Sequence, residues 1–108
     1  MRVIDMHTHI FPEKVAEKAT LATAEYFDLP EPPNHYGTVG ELEDVLREAV
    51  IDYAMVFSAA TSAHQVEHIN RYILSEADKE TKFIPCGTLH AHYEYYKEEL
   101  RWMRGHAI

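Results

Sequence analysis

The sequence predicts an α/β fold of parallel βα units within a single domain, and three observations carry that expectation. Short apolar runs at residues 3–10, 53–57 and 83–89 alternate with longer stretches of helical periodicity. Strands separated by helices imply right-handed crossovers and a parallel sheet. The 108 residues, 46% of them hydrophobic and 11% aromatic, are enough for one modest core.

The elements follow in order. Arg2–His9 is the first strand. Pro12 falls where a helix tolerates it, at the first turn, and Glu13–Phe27 reads as helix with Val15, Ala19, Ala22 and Phe27 on roughly one side. From Asp28 to Gly37 the chain is a loop, because Pro30, Pro32 and Pro33 exclude regular helix. Thr38 caps a second helix with Glu41 as its capping-box partner, and Leu42, Val45, Leu46 and Ala49 form the apolar stripe. Tyr53–Phe57 is a short buried strand. Thr61 or Ser62 then caps a longer helix running to about Glu80. Phe83–Leu89 is the third strand, and Tyr93–Arg104 the last helix, stopped by Gly105.

Composition removes several function classes. The net charge of −8, from 10 basic and 18 acidic residues with no basic cluster, argues against nucleic acid and against anionic membrane surfaces. No segment approaches the ~20 apolar residues of a membrane span, and Arg2-Val3-Ile4-Asp5 lacks the pattern of a signal peptide. A single cysteine, Cys86, makes no internal disulfide, which fits a cytoplasmic setting. Cys86 lies in an apolar strand without a cationic neighbour in sequence, and reads as core filler.

Three βα units leave a sheet with two open apolar edges, where parallel sheets need cover. Gly105 is followed only by His106-Ala107-Ile108, where a fourth strand is due. The expectation is a piece of something larger, truncated before its fourth strand, or a homo-oligomer that completes its sheet with a partner copy.

The chemistry concentrates in Asp5-Met6-His7-Thr8-His9. Strict strand alternation points Asp5, His7 and His9 the same way. Two imidazoles two residues apart on rigid backbone grip one metal ion, with Zn–N distances of about 2.0–2.1 Å. Asp5 is then the group that orients a ligating histidine. Adjacent inward imidazoles in a dry core are costly unless paired, so a metal or a carboxylate is the cheaper explanation. Structural zinc wants four ligands, however, and catalytic zinc three plus water.

Val3-Ile4-Asp5-Met6-His7-Thr8-His9-Ile10-Phe11-Pro12 resembles the first strand of the amidohydrolase superfamily, in particular its amidohydrolase-related metal-dependent hydrolases. The stretches Gln65–Asn70 and Phe83–His90 are similar to the same subgroup, and the resemblance runs to about Arg104. It implies a partial TIM-type (β/α)₈ barrel, of which residues 1–108 match the first three units. It also implies His7 and His9 as ligands of a divalent metal, zinc by preference. The activity implied is hydrolysis of a small-molecule amide, ester or related bond by metal-activated water. Metal-dependent non-oxidative decarboxylation is the alternative within the same branch. The later-strand ligands and the general base of that family have no counterpart in this sequence.

The other histidines have plainer readings. His64-Gln65-Val66-Glu67-His68 spells an inverted zinc-protease motif, yet Val66, Ile69, Ile73 and Ala77 define the buried helix face and leave His64 and His68 on a solvated one. His90-Ala91-His92 is a second His-x-His at the end of the third strand. A four-histidine site with His7 and His9 is the sharper reading, and ordinary loop histidines the plainer one, since the second strand lies between. A self-sufficient oligomeric metal module and a non-catalytic interaction domain stand beside the hydrolase reading.

Overall fold

The computed structural model describes all 108 residues. Three parallel strands, β1 (Ile4–His9), β2 (Tyr53–Phe57) and β3 (Phe83–Pro85), form one sheet in the order β1-β2-β3. The helices are α1 (Glu13–Tyr26), α2 (Val39–Glu48), α3 (Val66–Lys79) and α4 (Tyr96–Gly105). The α/β class with parallel βα units is as the alternating pattern implies. No helix is long and apolar enough to cross a membrane.

Strands added in sequence order through right-handed crossovers carry their helices on one face. Burial agrees with that arrangement. Ala54, Val56 and Phe83 point to the helix side and are buried with Ile10, Leu46 of α2 and Ile73 of α3. The other face carries Ile4, in register with Tyr53, and Ile84, in register with Met55; Ile4 and Ile84 are 45% and 37% exposed. One sheet face therefore builds the core and the other stays apolar and open. Only 12 of 108 residues are buried, so each interior contact is a large share of the total.

The strand β1 is not regular. Asp5 pairs with Ala54 but Thr8 pairs with Val56, so β1 spends one more residue than β2 over that interval, as a β-bulge does. Residues in register share a face in a parallel ladder. Asp5 and Thr8 thus lie on the Ala54/Val56 side, while His9 lies with Phe57 on the open side. This corrects the alternation expected for Asp5, His7 and His9. The Thr8 hydroxyl donates to the Met55 carbonyl at 2.8 Å across the irregularity.

Other boundaries moved for identifiable reasons. β3 ends at Pro85 rather than Leu89: Pro85 brings no N–H, and the Thr88 backbone bonds to a side chain instead of a strand. The helix after β2 begins at Val66, behind a single 3₁₀ turn at Ala63–Gln65; Ser62 makes no side-chain cap bond, and Thr61 donates its N–H and hydroxyl to Gln65 Oε1. In α1 the inward residues are Ala16, Ala19, Thr20 and Ala24, leaving Val15 and Phe27 exposed. The Thr38–Glu41 cap is formed as predicted, with Glu41 N–H donating to Thr38 Oγ1 at 3.2 Å and Thr38 Oγ1 donating to Glu41 Oε1 at 3.0 Å.

Three helices end in the same device, and none uses glycine for it. Asp28, Val50 and Ala107 have φ of 50°, 56° and 58°, in the left-handed region. Each is followed by a residue whose N–H reaches back to close the last turn: Leu29 to Ala24, Ile51 to Leu46 and Ile108 to Met103, at 3.0, 2.9 and 3.1 Å. Gly105, expected to stop α4, lies inside its final turn. Val50 is the costliest of the three, because a β-branched side chain fits this region poorly. It is also 78% exposed and loses little packing on removal. Val50→Gly is therefore expected to stabilise the fold by about 1 kcal/mol, after allowing for the entropy of the new glycine. Urea denaturation of the pair of proteins reads that difference; an unchanged or lower midpoint contradicts it.

Candidate metal centre

The last residues of β1 reach the C-terminal edge of the sheet, the edge at which parallel α/β proteins place their ligands. His7 and His9 both stand there, exposed to solvent. Their Nε2 atoms approach to 3.1 Å, with ring centroids 5.0 Å apart. The ring of His7 tilts against Phe57 at 5.4 Å, and the ring of His9 lies parallel to Phe11 at 6.4 Å. Two aromatic side chains thus flank the pair and limit how far either imidazole can turn.

The separation of the two nitrogens is informative. Tetrahedral zinc with bonds of about 2.0–2.1 Å holds neighbouring nitrogens about 3.3 Å apart. The observed 3.1 Å is close to that bite, and the rings must turn from facing each other for both lone pairs to address one ion. In the absence of an ion, one ring donates its N–H to the bare nitrogen of the other. That hydrogen bond requires at least one neutral ring.

Electrostatics act in the same direction. Partial desolvation of the His9 ring, and then the charge that His7 carries when protonated, push the His9 pKa below 6.5. At neutral pH His9 is accordingly an uncharged ligand. Protonating it costs more in the fold than in the unfolded chain. Stability present above an ordinary histidine pKa is therefore lost as the pH falls through the depressed value of His9. In a pH titration followed by NMR, the His9 ring resonance is expected to titrate below 6.5. His7→Ala, which removes one of the two causes, should move that midpoint up; a midpoint unchanged by the substitution contradicts the account.

Asp5 does not touch either imidazole. Its Oδ1 accepts the backbone N–H of His7 at 3.1 Å, closing the bulge on itself. The carboxylate holds the backbone that carries His7, rather than its ring.

His90 and His92 form a separate pair. Their ring centroids are 5.6 Å apart, and His90 Nδ1 accepts the His92 backbone N–H at 3.2 Å. No group of three or more His, Cys, Asp or Glu side chains converges anywhere in the chain, so the four-histidine arrangement with His7 and His9 is not assembled. His64 and His68 are exposed, and Glu67 between them accepts the Tyr93 hydroxyl at 2.5 Å.

The largest polar assembly in the fold is one that motif reading passed over. Asn70 of α3 is fully buried. Its Nδ2 donates to the Thr88 carbonyl at 3.1 Å and to Glu99 Oε1 at 2.8 Å, and its Oδ1 accepts the Thr88 N–H at 2.7 Å. Glu99 of α4, 3% exposed, takes both Arg71 nitrogens at 2.5 and 3.2 Å. The Arg71 guanidinium lies 3.4 Å over the Trp102 ring, which stacks on His106 at 4.3 Å. The signal was available: Asn70 is four residues after Val66 and three before Ile73, inside the apolar stripe of α3. This network fixes the chain after β3, and with it the C-terminal edge of the sheet.

The chain matches no protein-family model, no curated protein and no solved structure.

Proposed function

We propose that this chain binds a divalent metal, zinc by preference, through His7 and His9, as the metal-holding portion of an amidohydrolase-type hydrolase acting on a small-molecule substrate. The observation that carries the reading is the 3.1 Å approach of the two Nε2 atoms at the C-terminal edge of a parallel sheet. Two further features support it. The helices lie on one face of a sheet in simple sequential order, and the opposite face is apolar and open, as a strand set from a (β/α)₈ barrel requires for its interior. His7 and His9 share the open face by ordinary alternation, and the bulge between Asp5 and Thr8 leaves Asp5 on the opposite one.

The chain's own contribution to the chemistry is specific. His9 stays neutral and available at pH 7, Asp5 holds the His7 backbone in place, and Phe57 and Phe11 fix the ring planes. A divalent ion held there supplies Lewis-acid activation of water or of a substrate carbonyl. Two imidazoles fill two positions of a tetrahedral shell, so hydrolysis needs a further ligand and a proton acceptor from outside the pair.

Elemental analysis of the purified chain, after exposure to zinc and gel filtration, tests the reading. Retained zinc that disappears in the His7→Ala/His9→Ala double variant is expected. Zinc retained equally by wild type and double variant, or by neither, contradicts it.

A further inference from the structure

We infer that Gly37 and Phe11 are positioning residues for His9, through which the proline-rich loop at residues 28–37 sets the plane of that imidazole. The inference rests on the metal reading above and adds to it two residues that lie behind the ligand.

The contact begins with the backbone. Gly37 has φ of 76°, in the left-handed region that an L side chain enters only at a cost. Its carbonyl accepts the Phe11 N–H at 2.8 Å, which ties the loop to the chain just beyond His9. A Cβ at position 37 would stand 2.9 Å from Phe11 Cδ2 and 3.2 Å from Phe11 Cε2, closer than a side chain packs without displacing its neighbour. The glycine therefore leaves the place that one edge of the Phe11 ring occupies. The same ring runs nearly parallel to the His9 imidazole, 9° from coplanar orientation with centroids 6.4 Å apart. That separation lies within the range of about 4.5–7 Å over which aromatic rings interact.

The loop itself is held from both sides. The Tyr36 carbonyl accepts the Thr20 hydroxyl of α1 at 2.7 Å. On the other side, Glu41 of α2 accepts the Tyr36 N–H at 2.9 Å and bonds to His35 Nδ1 at 3.1 Å. Pro30, Pro32 and Pro33 reduce the freedom of the segment before them. Gly37 is thus a fixed stop for Phe11, and Phe11 a fixed wall for His9.

The consequence for metal binding is a division of labour. Without an ion the two rings face each other with Nε2 atoms 3.1 Å apart, and they must turn for both lone pairs to meet one ion. His9 has the parallel neighbour, whereas His7 meets Phe57 at a tilt of 59°. His9 is the fixed jaw and His7 the one that turns. A ligand already held in place loses less rotamer freedom on binding. Releasing His9 should weaken zinc binding by roughly 3–10-fold, the factor that corresponds to ordering one side chain.

The experiment is a calorimetric zinc titration of the full chain at neutral pH, with circular dichroism as the check on folding. Gly37→Ala and Phe11→Leu are each expected to weaken binding by that factor. The double variant should be no weaker than either alone, because both changes release the same ring. Phe11→Tyr, which keeps the ring, should bind as wild type does. So should Gly40→Ala, where an added Cβ meets nothing within 4 Å. Cobalt(II) gives a readout that a loss of stability does not move: its visible bands should shift in Gly37→Ala and Phe11→Leu and keep their wild-type positions in Phe11→Tyr. If Gly37→Ala does not fold, Phe11→Leu and Phe11→Tyr carry the test. Wild-type affinity and spectrum in Phe11→Leu, or losses that add in the double variant, overturn the positioning and leave the metal reading standing. A wild-type chain that binds no zinc overturns both.

Discussion

Asn70→Ala is expected to destabilise the fold by about 3 kcal/mol, a large share of the about 5–15 kcal/mol that holds a domain together. The substitution removes three hydrogen bonds together: the pair to the Thr88 backbone and the one to Glu99. Unsatisfied buried donors and acceptors cost about 1–3 kcal/mol each. Thr88 is only half-buried, so water recovers part of that loss, while the vacated volume beside Gly87 and Met103 adds a cavity cost. The consequences reach the rest of the network. Without the Asn70 amide, Glu99 keeps Arg71 as its partner but loses a neutral donor in a site that is 3% exposed. Asn70→Asp makes a sharper test, because it preserves shape and sets a carboxylate against Glu99 Oε1, now 2.8 Å from the amide nitrogen. The aspartate variant should be the less stable of the two at neutral pH and should recover as acid protonates one carboxyl of the pair. Chemical denaturation at two pH values reads both effects. An alanine variant within 1 kcal/mol of wild type would mean that the clamp is ornamental, by the ordinary scale of surface substitutions.

Zinc at 100 times its dissociation constant is expected to raise the unfolding free energy by about 2.7 kcal/mol, and His7→Ala to remove most of that gain. The argument is linkage: an ion that binds the folded arrangement and not the unfolded chain stabilises the fold by mass action. The two nitrogens lie at 3.1 Å only because β1 is folded, so the unfolded chain has no equivalent clamp. Both ligands must be unprotonated, and the gain should therefore shrink as the pH falls below the range of an ordinary histidine, near 6.5. The depressed pKa of His9 delays that loss rather than hastening it, because its ring resists protonation. Thermal or urea unfolding with and without zinc, across that pH range, provides the measurement. Equal stabilisation of wild type and His7→Ala would place the ion elsewhere.

The two results concern different parts of the same edge. Asn70 and Glu99 set the chain that follows β3, and the bulge in β1 sets the histidines. The first was hidden from pattern reading because polar residues on helices are ordinarily taken as solvated. Its only trace was position: Asn70 falls within the stripe of Val66, Ile69 and Ile73. Glu99 left still less, because a charged residue on α4 finds its burial only when Arg71 of α3 lies opposite.

Much of the architecture was legible locally. The apolar run at residues 53–57 and the helical stripe of Leu42, Val45 and Leu46 are properties of the chain itself and emerged where the pattern put them, while Ala49, expected in the same stripe, is the exposed C-cap. The Thr38–Glu41 cap was equally local, needing residues only three positions apart. Helix ends were less so. Nothing in Val50 or Ala107 announces a left-handed residue; Ile51 and Ile108 had to find the core before the turns preceding them closed.

By itself, then, the sequence determined the α/β class, the parallel sheet and the presence of the His7 and His9 pair, because periodicity and spacing act over a few residues. Tertiary structure alone decided that Asp5 lies on the opposite face of the sheet from His9, and that Asn70 and Glu99 anchor the edge beside them. The physical reason is register: one extra residue in β1 against β2 reverses the face of every side chain beyond it, and only pairing between strands 49 residues apart in sequence sets that offset.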